Sequence, residues 1–129
     1  MRADAFRRAI DERPDFRRRC LFFAQYYLDQ VSQSVACNRL HTLEERCARW
    51  LLMTDDRVAA DHFELTHEFI ATMLGVRRAG VTVALGTLQR LEMIRSSRGR
   101  ITVLDRARLE QASCECYRIT RLAQDRLIG

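Results

Sequence analysis

Between Arg77 and Arg100 the sequence carries six arginines (Arg77, Arg78, Arg90, Arg95, Arg98 and Arg100) against one acid, Glu92. The excess in that window equals the net charge of +5 of the entire chain. All 22 basic residues are arginine, whose guanidinium is permanently charged and presents a planar fork of donors that fits phosphate oxygens and guanine edges. Next to the first two lie short or polar residues, Ala79, Thr82 and Val83. Such side chains would let a helix backbone sink into the major groove of a duplex while arginine reaches bases or phosphates. A surface that only needs solubility usually mixes signs, and no acid occurs from Arg77 to Arg90. The concentration reads as the footprint of a polyanion binder.

Other chemistry finds little support. Five cysteines (Cys20, Cys37, Cys47, Cys114 and Cys116) form an odd set without zinc-finger spacing. On one helix Cys114 and Cys116 would point roughly 200° apart and could not chelate a single ion without unwinding. The thiols are expected to be reduced, small apolar side chains, with a redox role for Cys114 and Cys116 as the alternative. His41, His62 and His67 show no His-x-x-x-His or His-x-x-Cys spacing and are expected at caps, turns or the surface. No Ser/His/Asp, paired-carboxylate or phosphate-loop constellation appears, so the expectation is a non-enzyme with no cofactor and no metal.

The elements that must position the arginines follow from apolar spacing and punctuation. The chain has 129 residues, 47% hydrophobic and 30% charged, with five Gly and one Pro, which excludes collagen-like and disordered classes and fits a helix-rich domain. The longest uncharged stretch, Leu21–Leu28, is too short to span a membrane. No apolar leader opens the sequence, so the cytoplasm is the expected compartment. Residues 4–12 read as a short helix ended by Pro14, and a helix of about 25 residues follows to Leu40. It carries Phe16, Cys20, Phe23, Tyr27 and Val31 on one stripe and Leu21, Leu28 and Val35 on an adjoining one. Together they cover more than one neighbour could hide, which predicts dimerisation through this helix.

Thr42 and Glu45 form a capping box that opens a helix over about 43–54, with Leu43, Cys47, Trp50 and Leu51 inward. Asp55, Asp56, Arg57 and Asp61 read as a polar loop. Thr66 caps a helix over 67–74, Gly75 ends it, and a second helix begins about three residues later and runs to about Leu91. Two helices joined by a short Gly-containing turn make a helix-turn-helix. Its core face is expected to hold Phe69, Ile70, Met73 and Leu74 with Val81, Ala84, Leu85, Leu88 and Leu91. Two β-prone runs about Ser96–Arg100 predict a hairpin with Arg98 and Arg100 at its turn. Asp105 caps a final helix over about 106–127, with Leu109, Cys116, Ile119, Leu122 and Leu127 among its apolar residues, packed on the domain.

In order and spacing the chain resembles the C-terminal half of the Crp/Fnr family of bacterial transcription regulators. FRRRCLFFAQYYLDQVSQSVACNRL resembles the family's dimerisation helix, LHTLEERCARWLLM the helix after the hinge, LTHEFIATMLGVRRAGVTVALGTLQRLEMI the helix-turn-helix, and RGRITVLD the wing. The resemblance implies phosphate contacts from Thr66 and His67, base reading by Arg78, and phosphate contacts from Arg98 and Arg100. Two further base-reading positions of the family, often glutamate and arginine, fall at Ala79 and Val83, so its best-known operator is not expected to be bound. Gly80 stands where a hydroxyl residue is common. No counterpart of the family's β-roll sensor is expected among these residues.

The resulting expectation is a mainly α fold with a small β wing: a long N-terminal dimerisation helix followed by a winged helix-turn-helix domain, over 1–41 and 42–129. The expected function is sequence-specific transcription regulation by a homodimer on a near-palindromic duplex, with RNA polymerase a candidate partner and no membrane involved. The DNA-contacting set is Thr66, His67, Arg77, Arg78, Ala79, Thr82, Val83, Arg98 and Arg100; the dimerisation set is Phe16, Cys20, Phe23, Tyr27 and Val31. The alternative is an interaction module that pairs with a full-length relative through residues 15–40 without binding DNA.

Overall fold

A computed structural model describes residues 1–128. Helix α1 (Ala3–Glu12) is followed after one residue by α2 (Pro14–Leu40), in which Pro14 occupies the first helical position, where its missing N–H costs nothing. Next come α3 (Leu43–Asp55), β1 (Phe63–Glu64), α4 (His67–Leu74), α5 (Arg78–Arg90), β2 (Ile94–Ser97), β3 (Arg100–Val103), α6 (Arg106–Ala112) and α7 (Cys116–Ile128). No single helix among the described residues is long and apolar enough to cross a membrane. The fold class is the expected one, mainly helical with a small antiparallel wing. The chain divides into two compact units, one of Met1–Ser34 with the segment from Arg118 onward, the other of Val35–Tyr117.

In the second unit, α3, α4 and α5 pack around Cys47, Ala48, Leu51, Leu52, Ile70, Leu74, Val81, Ala84, Leu85 and Leu88, all buried. The Thr42 capping box forms as read: the Glu45 N–H donates to the Thr42 hydroxyl at 3.3 Å and the Thr42 N–H to the Glu45 carboxylate at 2.8 Å. A sheet of order β1-β3-β2 closes one side of this core through Phe63, Ile94 and Ile101. Strand β1 has no signal in the sequence, because two residues are too few to show an alternation. Ile101 is wholly buried on the central strand. Ile101→Ala is expected to cost about 2–5 kcal/mol, read as a lower urea midpoint with unchanged slope, because a rigid sheet cannot close on the cavity.

Several inward assignments are corrected. Phe69, Met73 and Leu91 are 49%, 43% and 45% exposed. A two-turn α4 buries one narrow stripe, and Ile70, Ala71 and Leu74 fill it; Leu91 stands beyond the last turn of α5 as its C-cap. Asp55 and Asp56 are not a free loop. Both accept hydrogen bonds from Arg106, which also reaches Glu110 and the Tyr117 hydroxyl, so one guanidinium ties the end of α3 to α6 and the start of α7. Burial works against that charge, but the hydrogen bond to Asp56, with Tyr117 and Asp55 alongside, raises the Arg106 pKa above its ordinary value.

The single final helix expected over 106–127 is broken at Ser113–Glu115. The break changes the course of the chain. From Arg118 onward α7 belongs to the first unit, where the Tyr26 hydroxyl lies 3.4 Å from Gln124 Oε1 on the flank of α2, and Ile119 and Leu122 are about half exposed, at 45% and 53%. The Leu127 side chain, expected on the apolar side, lies outside the described residues.

Candidate nucleic-acid interface

The turn between α4 and α5 follows from three local features. The Thr66 hydroxyl accepts the Phe69 N–H at 3.1 Å and starts α4. Gly75, at φ 64, ends it in the left-handed conformation, and the Val76 N–H closes on the Ala71 carbonyl at 3.0 Å. The buried guanidinium of Arg46 then donates to the Leu74 carbonyl, holding the last turn of α4 from the side of α3, while its Nε donates to Asn38 at 3.2 Å. The axes of α4 and α5 differ by 109°, within the range of helix-turn-helix units.

Gly80 finds its reason in packing. A Cβ built there would stand 3.0 Å from Leu43 Cδ2, so α5 lies closer to α3 than alanine would comfortably allow. Ser96 donates its N–H to Gln89 Oε1 at 2.7 Å, which locks β2 against the flank of α5. The hairpin is tighter than expected: Ser97 pairs with Arg100, leaving only Arg98 and Gly99 in the turn, at φ 51 and 77. Two positive φ values identify a type I′ turn, whose twist matches that of the strands. Arg100 is therefore a strand residue, across from Glu64 on β1.

Thr66, His67, Arg78, Ser96, Ser97, Arg98 and Gly99 line one open cleft of about 420 Å³. The Leu65 N–H donates to the Gly99 carbonyl at 2.8 Å, so the wing turn and the start of α4 form one wall. Arg77, Arg78, Ala79, Thr82 and Val83 are all exposed on α5, as are Arg98 and Arg100 on the wing. His67 is half-buried, its Nδ1 2.9 Å from the Thr82 hydroxyl, which also donates to the Arg78 carbonyl at 3.2 Å. The Thr82 hydroxyl is thus engaged within the protein, and its methyl is the part left to an incoming surface. None of the six arginines of the basic window forms an ion pair among the described residues. Arg77 supplies no side-chain cap to α5, and the first turn of that helix holds no acid. Its N-terminal N–H groups and two guanidinium groups together favour an anion.

Residues 45–112 match the Crp-like helix-turn-helix domain, more than half of the chain. The chain belongs to the Crp/Fnr family. Three of the solved structures that align with it are a Crp/Fnr-family protein from Eubacterium rectale at 33% identity and TM-score 0.60 over 64% of this chain and 38% of its own; a CRP-family transcriptional regulator from Thermus thermophilus at 28% and 0.61 over 67% and 47%; and FixK2 from Bradyrhizobium japonicum at 22% and 0.80 over 88% and 60%. The last supports the fold alone. The chain spans from about two fifths to three fifths of the lengths of these three proteins. No curated protein matches.

The residues of the expected dimerisation stripe lie along α2. Phe16 and Cys20 are half-buried, with Phe16 packed edge-on against Phe6 of α1 at 5.8 Å, while Phe23, Tyr27 and Val31 are exposed. Cys47 is buried in the core as expected, whereas Cys114 and Cys116 do not point apart as one continuous helix would require. Cys37, Cys114 and Cys116 converge with His41, their ligand atoms all within 4.8 Å of one another. Sequence reasoning missed this group because it placed Cys114 and Cys116 on a continuous helix. The available signal was Cys37-x-x-x-His41, a spacing that puts both side chains on one helical face.

Proposed function

We propose that this Crp/Fnr member is a sequence-specific DNA-binding transcription regulator that works as a homodimer. In this reading α5 enters the major groove by its Arg78 end, with Ala79 and Val83 against the base edges. Thr66, His67, Arg77, Arg98 and Arg100 grip phosphates on either side. Twofold pairing through α2 would present two such helices to successive major grooves about 34 Å apart on a near-palindromic site. The observation that carries the proposal is the cleft in which the start of α4, the start of α5 and the wing turn meet, lined by Arg78 and Arg98, with Arg77 exposed beside it at the N-cap of α5. RNA polymerase is a candidate partner of the bound dimer.

Selection of bound sequences from random duplex DNA, followed by titration at several salt concentrations, tests it. The expected outcome is a twofold-symmetric motif and a logarithmic salt slope of about −5 or steeper, because six or more phosphates are neutralised per dimer. A chain with no affinity for duplex DNA in dilute salt would overturn the proposal and favour the interaction-module reading.

A further inference from the structure

The last turn of α2 and the break between α6 and α7 bring four metal-binding side chains together inside the Val35–Tyr117 unit. Cys37 and His41 lie four residues apart, and the His41 N–H donates to the Cys37 carbonyl at 3.1 Å, so the helical turn carries through both. Cys37 Sγ stands 3.5 Å from Cys114 Sγ, and Cys116 Sγ stands 3.6 Å from His41 Nδ1. Zinc–sulfur bonds of about 2.3 Å set the edges of a tetrahedron at about 3.7 Å. These two separations are close to those edges, and all four ligand atoms lie within 4.8 Å of one another. Cys37, Cys114 and Cys116 are 1%, 4% and 1% exposed.

The surroundings add two independent observations. His41 turns Nδ1 toward the thiols while Nε2 lies 3.2 Å from the Glu115 carboxylate, the outer-shell arrangement that fixes the tautomer of a metal-ligating imidazole. The guanidinium of Arg49, 2% exposed, lies beside the Cys37 thiol. A dication held by three thiolates and one neutral imidazole carries a net charge of −1, the three thiol protons having passed to solvent. A buried guanidinium beside it offsets that charge.

We propose that Cys37, His41, Cys114 and Cys116 form a structural zinc site, with Glu115 as the positioning residue for His41. Four protein ligands leave no open coordination position, so the ion serves the fold and not a reaction. Three soft thiolates with one imidazole favour zinc among the divalent ions, and separations under 4.8 Å suit one ion, since a polynuclear iron–sulfur cluster interposes iron and sulfide between its ligands. The ion would fasten the last turn of α2 to the α6–α7 junction. This proposal does not depend on DNA binding.

The test is elemental analysis of the untagged full chain, followed by cobalt substitution and zinc titration against a competing chelator. About one zinc per chain is expected, and the cobalt form should show thiolate-to-metal charge transfer with tetrahedral visible bands. Cys114→Ser should lose the zinc. His41→Cys should keep it and change the cobalt spectrum, an outcome that plain packing of His41 would not give. Glu115→Gln, at an exposed position, should weaken zinc binding about 10- to 100-fold with helicity unchanged, which keeps the proposal testable if Cys114→Ser fails to fold. A folded chain that takes up neither zinc nor cobalt stoichiometrically overturns it, as does iron with sulfide at the site, zinc binding indifferent to Cys114→Ser and Glu115→Gln alike, or a cobalt spectrum indifferent to His41→Cys.

Discussion

Arg78→Ala is expected to weaken binding of the proposed dimer to its selected site by roughly 30-fold to 10⁴-fold while leaving the fold slightly more stable. A bidentate arginine–guanine contact discriminates by about 1–3 kcal/mol, and a twofold complex loses two of them. The stability change has the opposite sign for a local reason. Arg78 opens α5, where the helix macrodipole disfavours a cation by about 0.3–1 kcal/mol, and no acid in the first turn compensates. A residue that costs the folded chain something and forms no internal ion pair is best explained by a partner outside the chain. Competition binding against sites permuted at each position separates this from a phosphate role: guanine preference at one position per half-site should vanish. Arg98→Ala should instead weaken all sequences alike and flatten the salt slope by about one phosphate per half-site. An unchanged motif with Arg78→Ala would assign base reading to another side chain.

Helix boundaries around the interface were legible because each is set by a local, chemically specific signal. The Thr42–Glu45 box, the Thr66 cap and the left-handed Gly75 each act within one helical turn, and α3, α4 and α5 begin where those residues require. The features that escaped detection are set by distant parts of the chain. Nothing near Arg46 in sequence indicates that its guanidinium closes the end of α4 at Leu74, and nothing near Asp55 indicates that it anchors Arg106. Counting arginines therefore located the basic face but could not separate surface arginines from buried ones such as Arg46 and Arg49. The cysteine group failed for a related reason. Periodicity over 106–127 is continuous enough to read as one helix, and the break at Ser113–Glu115 that lets Cys114 and Cys116 face the same point is a tertiary event.

If the proposed dimer forms through α2, Phe23→Glu is expected to convert it into a monomer and to reduce affinity for a two-half-site duplex by about 10²- to 10⁴-fold. The basis is the surface of α2, where Leu21, Phe23, Tyr27, Leu28 and Val31, on one side of the helix, all stand exposed in the single chain. Aromatic and branched side chains in such a row form a contiguous apolar patch of the kind that marks a contact surface. Phe23 is 57% exposed and stacks on Tyr27 at 6.5 Å, so glutamate there costs the single chain little. Buried in a twofold interface, the same carboxylate would lose its hydration without a partner, and near the axis it would face its own copy. Once the pair separates, the second half-site is no longer engaged at the high effective concentration that tethering supplies, which accounts for the predicted loss. Light scattering and gel retardation on the same sample give the two readouts together. If Phe23→Glu leaves a dimer with full affinity, α2 does not pair the chains through this stripe; if it yields a monomer that binds as tightly as before, pairing contributes nothing to recognition.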